Sequence, residues 1–257
     1  MTKLSPLASV SETRAVLEAH GLSTKYSLGQ NFLINDAILQ KIVALADLAP
    51  DDYVLEVGPG IGTLTIALLK SAGRVLSVER DPDLPAVLVE TLAPWSDRFA
   101  LLNKDALDLC SADFQSAEPL DAAASRGARS RGEAEGSRTE VRSAFALPTI
   151  SGTTETLADV AGPMRLLPNK LVANLPYAVA ATVVLDYFEQ FASLESATVM
   201  VQKEVADRMA ASPGTKNYGA YTVKLRLYAE PAGRFAVGPG NFFPPPRVES
   251  AVLRLNR

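Results

Sequence analysis

The 257-residue chain is 47% hydrophobic and 21% charged, enough for one large domain with a sizeable core, or a domain with a small appendage, and too apolar for an unfolded chain. Its single cysteine, Cys110, and single histidine, His20, exclude an internal disulfide and a Cys/His zinc site, so no metal site is expected. The net charge of −4 weighs mildly against a nucleic-acid binder, but from Val201 to Arg257 nine Lys/Arg stand against four Asp/Glu, a local +5 that can meet a phosphate backbone.

The opening MTKLSPLASV lacks the basic and apolar regions of a signal peptide. No run approaches the roughly 18 apolar residues of a membrane span, so a soluble, cytoplasmic chain is expected. Ser9 and Glu12 have capping-box spacing, and Gly21 can end the helix they start. His20 falls at the end of that helical pattern, where a surface role fits better than that of a base. A polar and aromatic stretch, KYSLGQNFLIND, follows; its Asn35 can cap a helix in which Ile38, Ile42 and Leu45 share a face. Strands are then predicted at YVLEV, RVLSVER, FALLNKD, KLVAN and SATVMVQ, with helices at TLTIALLKS, LPAVLVETL, AATVVLDYFEQF and KEVADRMAA. That alternation implies right-handed crossovers and a mostly parallel, doubly wound α/β sheet. RFAVGPG and ESAVLRL have no helix between them and predict an antiparallel, hairpin-like edge. The rhythm breaks at about 111–164, where DAAASRGARSRGEAEGSRTE has no sustained apolar period; a surface insertion is expected there.

Chemistry-bearing residues recur at the strand ends. EVGPGIGTLT places Gly58, Gly60 and Gly62 between a strand and a helix, where glycines let a ligand approach the backbone. The spacing is G-x-G-x-G, shorter than the dinucleotide G-x-G-x-x-G, and suits a ligand with no pyrophosphate to cradle. Glu79 ends the second strand, about twenty residues beyond the loop, where an acid accepts from both ribose hydroxyls. Asp105, at the end of the third, can accept from an adenine amino group. The fourth strand ends in Asn174-Leu175-Pro176-Tyr177, a form of the [Asn/Asp/Ser]-Pro-Pro-[aromatic] motif of amino-group methyltransferases. The Asn174 side-chain oxygen and a main-chain carbonyl nearby, that of Leu175, can accept the two N–H bonds of an exocyclic amine and aim its lone pair at a methyl group. Pro176 fixes the backbone, and Tyr177 offers a face on which an extruded base can stack.

Together KYSLGQNFL, LEVGPGIGTLT, NLPY and FFPPPRVESAV resemble the ribosomal small-subunit RNA adenine dimethyltransferase family over Lys25 to about Leu109 and Lys170 to Leu255. The resemblance implies a Rossmann-like class I methyltransferase domain over 51–257, interrupted by the 111–164 insertion and preceded by a helical, cofactor-lid segment at 1–50. It implies transfer of methyl groups from S-adenosylmethionine to two adjacent adenosines near the 3′ end of small-subunit rRNA, with a precursor of the small subunit as partner and a monomeric, cytoplasmic enzyme. It also implies that Asn31, Leu33, Gly58, Gly60, Glu79, Asp105 and Asn174 line the cofactor pocket, and that Tyr177 and Phe243 flank the target base. For Phe242 and Phe243 a core-packing role stays open. The family's small C-terminal helical domain is expected after AVLRL, and this sequence stops at Arg257. Two other readings remain: a large-subunit rRNA adenine methylase of the macrolide-resistance type, and a non-catalytic ribosome assembly factor. A dehydrogenase is disfavoured by the glycine spacing.

Overall fold

The computed structural model of the protein describes residues 3–25, 28–116 and 167–257. The 117–164 part of the expected insertion therefore lies outside the described residues.

Helix α1 (Val10–Ala19) starts where the Ser9 hydroxyl accepts from the Glu12 N–H at 3.2 Å. It ends at Gly21, whose φ of +64° lets Gly21 N–H reach Glu18 and Leu22 N–H reach Leu17, at 3.0 and 2.8 Å. After a two-residue strand β1 (Phe32–Leu33), Asn35 caps α2 (Asp36–Ala46) by accepting from Ala37 N–H. Then come β2 (Tyr53–Val57), α3 (Thr63–Leu69), β3 (Arg74–Glu79), α4 (Leu84–Thr91), β4 (Phe99–Asn103) and α5 (Asp113–Ser116). Beyond the insertion follow β5 (Lys170–Asn174), α6 (Ala180–Gln190), β6 (Ser196–Gln202), α7 (Lys203–Met209), α8 (Ala220–Leu225), β7 (Glu230–Val237), β8 (Phe242–Phe243) and β9 (Ser250–Asn256).

The main sheet has the order β4-β3-β2-β5-β6-β9-β7, parallel from β4 to β6 and antiparallel at β9 and β7. Because successive strand residues face opposite sides, each side has its own core. Leu55, Leu76, Leu171 and Val199 pack with α6, α7 and α8; Val54, Val75, Val172 and Met200 pack with α1 to α4. β2 is followed in sequence by its neighbour β3, while its other neighbour is β5. The topology thus switches between β2 and β5, and a ligand crevice opens outside the carboxyl ends of strands at such a point.

Two expectations are corrected, while the antiparallel, hairpin-like edge is present as expected: β7 and β9 pair antiparallel, with β9 joined to β6 and β7 outermost. Every apolar residue of β9 is buried, as an interior strand requires, whereas β7 alternates exposed and half-buried. The insertion was expected from 111, yet α5 belongs to the core: Phe114 is buried and meets Phe191 edge-on at 4.8 Å between centroids. The third strand stops at Asn103, so Asp105 instead caps the short turn Ala106–Asp108. The helix α8 and the two-stranded β1–β8 sheet were not anticipated.

Candidate functional site

The loop after β2 turns through three positive φ values, 69° at Gly58, 61° at Gly60 and 92° at Gly62. At Gly60 a side chain is excluded twice over, since a Cβ there would lie 3.0 Å from the Phe32 ring as well as in a left-handed backbone. A Cβ at Gly58 would lie 3.7 Å from Pro176, so the loop and the Asn-Leu-Pro-Tyr motif are in van der Waals reach.

Glu79, buried at the end of β3, faces that loop. Its carboxylate accepts from the Asp81 N–H at 2.8 Å, and the backbone N–H groups of Gly60 and Arg80 face it as well. Burial pushes its pKa above the ordinary carboxyl value, and these three donors offset part of that rise. Asp105 accepts from Leu107 N–H at 3.1 Å and pairs with the Arg80 guanidinium at 3.2 Å. Arg80 therefore links the two acids predicted to bind ribose and adenine, a connection invisible in the linear pattern.

At the end of β5, Asn174 donates through Nδ2 to the Asn31 carbonyl at 3.2 Å. That bond orients the amide and leaves Oδ1 as the acceptor without a partner among the described residues. The Leu175 N–H continues the sheet to the Met200 carbonyl at 3.0 Å, its side chain is buried, and Pro176 O accepts from Val179 N–H as the chain enters α6. The ring of Tyr177 is half-buried and its hydroxyl lies 2.5 Å from Ser250 Oγ at the start of β9.

The remaining expected residues divide. Asn31 is brought to the site, with its side chain donating to the Gly29 carbonyl at 3.0 Å. Leu33 pairs with Phe242, and both side chains are buried in the core, so Leu33 can reach a pocket only through its backbone. The alternative left open for the two phenylalanines is thereby decided differently for each: Phe242 packs inward, while Phe243 stays half-buried with the Arg14 guanidinium 5.0 Å over its ring.

One residue at this edge escaped the sequence reading. Glu56, second to last in β2, is 1% exposed; its Oε2 accepts from Thr65 and Ser77 hydroxyls at 2.8 and 2.7 Å, and Oε1 has no partner among the described residues. Burial raises its pKa to about 7. An acid in an otherwise fully apolar strand was the available signal.

The family profile described as ribosomal RNA adenine dimethylase matches residues 21–257. The chain belongs to that family. As a member of the ribosomal RNA adenine dimethylase family it is 36% identical over 249 residues to ribosomal RNA small subunit methyltransferase A of Geobacillus kaustophilus (strain HTA426), covering 97% of this chain and 70% of the relative. It is 38% identical over 246 residues to the protein of the same name from Rhodococcus opacus (strain B4), covering 96% and 68%. Against the relative of that name from Corynebacterium jeikeium (strain K411) it spans 64% of the relative's length. Among solved structures, a dimethyladenosine transferase from Plasmodium falciparum superposes with a TM-score of 0.61 at 23% identity, over 88% of this chain and 62% of that one, which supports the fold. The 23S rRNA methyltransferase ErmE superposes with a TM-score of 0.60 at 25% identity, over 88% and 70%. In this dimethylase-family chain His20 stands apart from the strand tips, on the end of α1 with its Nε2 3.1 Å from Glu90. Among the described residues no helix is long and apolar enough to cross a membrane.

Proposed function

We propose that the chain transfers methyl groups to the N6 amines of two adjacent adenosines near the 3′ end of small-subunit rRNA, making each dimethyl. It acts as a cytoplasmic monomer on a precursor of the small subunit. The supporting observation is the Asn174 amide, turned by the Asn31 carbonyl so that Oδ1 is left to accept, within reach of the glycine loop.

The cleft fits S-adenosylmethionine. The glycine loop provides a backbone surface with no side chain at Gly60, and Glu79 is a buried acceptor for two ribose hydroxyls. Asp105 keeps accepting capacity for an adenine amine beside its Leu107 and Arg80 bonds. Asn31 and the backbone of Leu33 complete the pocket, and residues 1–50 serve as its cover over the domain at 51–257. When bound, the cofactor supplies an electrophilic sulfonium methyl. The protein's task is then position and polarity. Asn174 Oδ1 and the Leu175 carbonyl accept the two N–H bonds of the target amine, which draws its lone pair out of conjugation with the ring. Pro176 holds that pair of acceptors rigid, and Tyr177 and Phe243 stack against the extruded base. The amine's proton leaves to water after transfer, so no side-chain base is required.

The test is transfer of tritiated methyl from S-adenosylmethionine to unmethylated small subunits, with large subunits in parallel. Up to two methyls on each of two small-subunit adenosines is the expected result. Label confined to large subunits would transfer the assignment to the ErmE-like activity, and S-adenosylmethionine binding without label in either would make the chain an assembly factor.

A further inference from the structure

Asp81, two residues beyond Glu79, is 2% exposed although it lies on a loop. Its Oδ1 accepts from Lys25 Nζ at 2.6 Å and from Asp83 N–H at 3.1 Å, and its Oδ2 accepts from Gln30 Nε2 at 2.7 Å. Burial pushes this carboxyl up, but the Lys25, Asp83 and Gln30 donors outweigh it and hold the group below the usual carboxylate range. Lys25 and Gln30 are also bound to one another: Lys25 N–H donates to Gln30 Oε1 at 2.8 Å, and Gln30 N–H donates to the Lys25 carbonyl at 3.4 Å. They form one unit that presents two donors to a single buried carboxylate.

Both ends of this contact lead into the site. On one side the Asp81 N–H donates to Glu79 Oε1. On the other, Gln30 is followed directly by Asn31, whose carbonyl orients the Asn174 amide. A continuous path of hydrogen bonds and single peptide links therefore runs from Glu79 through Asp81 and Gln30 to Asn174. A buried carboxylate is costly to desolvate. Among the described residues its side-chain bonds go to Lys25, Gln30 and its own loop.

We infer that Asp81, with Lys25 and Gln30, is a positioning group that sets the distance and orientation between the ribose acid Glu79 and the target amide Asn174. The inference rests on the proposed reading of the cleft as a nucleoside pocket facing a target base. Asp81 touches neither ligand in this scheme. It anchors the segment that carries the Asn31 carbonyl, so loss of the anchor loosens the Asn174 amide and the ribose side of the pocket together.

The experiment uses the full chain and Asp81→Asn, with S-adenosylhomocysteine titrated by calorimetry and methyl transfer measured on unmethylated small subunits. The dissociation constant is expected to rise roughly tenfold, the effect of losing a buried charge-assisted hydrogen bond. At saturating cofactor kcat is expected to fall several-fold while KM for the ribosomal substrate holds, a split that a purely structural anchor would not produce. Gln30→Ala should weaken binding in the wild type and have little further effect in the Asp81→Asn background. If Asp81→Asn fails to fold, Lys25→Met combined with Gln30→Ala removes the same bonds from the more exposed side, with the same expected losses. A folded variant with wild-type affinity and wild-type kcat overturns the inference, as do fully additive losses. A wild-type chain that binds no S-adenosylhomocysteine overturns the nucleoside-pocket reading and this inference with it.

Discussion

The five parallel strands and the two antiparallel strands of the sheet are made of similar apolar sequence but contribute differently to the site. Parallel pairing brings every carboxyl end to one edge, so the loops after β2, β3, β4 and β5 converge there with Gly58 to Gly62, Glu79, Asp105 and Asn174. β9 runs the other way, and the residue it brings to that edge is its first: Ser250, opposite Gln202 at the end of β6, holds the Tyr177 hydroxyl. β7 and β9 otherwise form a regular ladder with one irregularity between Pro231 and Gly233. Of the polar groups at the parallel tips Glu79 is buried, while Asp105 and Asn174 stay half-exposed and open to a ligand, and β9, the strand that runs the other way, supplies backing.

This contrast can be broken at either half. The largest effect is expected at Asn174: Asn174→Ala should cut methyl transfer by about 10²-fold or more, in the range for removing one well-placed polar partner. Its S-adenosylhomocysteine affinity and unfolding midpoint should stay close to wild type, because only the bond to Asn31 is lost from the fold. Near-normal turnover would sink the role assigned to it.

Next is Glu56, whose folded-state pKa of about 7 lies above the ordinary 4.5. The fold favours its protonated form, so that contribution is complete below about pH 4.5 and lost as pH rises through 7. Relative to Glu56→Gln, the wild type should lose up to ~3 kcal/mol of stability across that interval. Equal changes in unfolding free energy for the two proteins between pH 5 and pH 8, measured by urea titration, would contradict this.

At Glu79 the sign of the pH effect on binding is the informative part. Glu79→Gln should weaken S-adenosylhomocysteine binding by about tenfold or more, as expected for a hydrogen bond to a charged group. Because burial raises the Glu79 pKa, wild-type affinity should fall on acidification earlier than for an ordinary carboxylate, whereas the variant should show no such decline. The smallest effect is predicted in the middle of β6: Thr198 is 1% exposed with a hydroxyl that has no partner among the described residues, and Thr198→Val should add about 1 kcal/mol of stability with methyl transfer unchanged.

Much of this was legible in the linear pattern because it depends on short-range physics. Ser9, Gly21 and Asn35 mark helix ends through bonds to residues two to four positions away. The five parallel strands announce themselves as apolar runs that stop at turn-forming or polar residues. What stayed hidden depends on partners distant in sequence. The order within the antiparallel edge is one case, for nothing local says which strand of the pair joins β6 and which lies outermost. The pairing of Phe32 with Phe243, which sends Phe242 inward and leaves Phe243 under Arg14, is another. Phe114 looked like the start of an insertion because its partner, Phe191, is 77 positions further along the chain.

By itself the sequence determined which residues stand at which strand ends, and hence the family and the kind of ligand those ends can hold. Only the tertiary structure decided how those ends are tied together: Asn31 turning the Asn174 amide, Arg80 bridging toward Asp105, and Asp81 clasping Lys25 and Gln30. The reason is physical. Strand ends are set by local periodicity and turn chemistry, whereas a hydrogen bond across 50 or 140 residues exists only after the sheet has closed the distance.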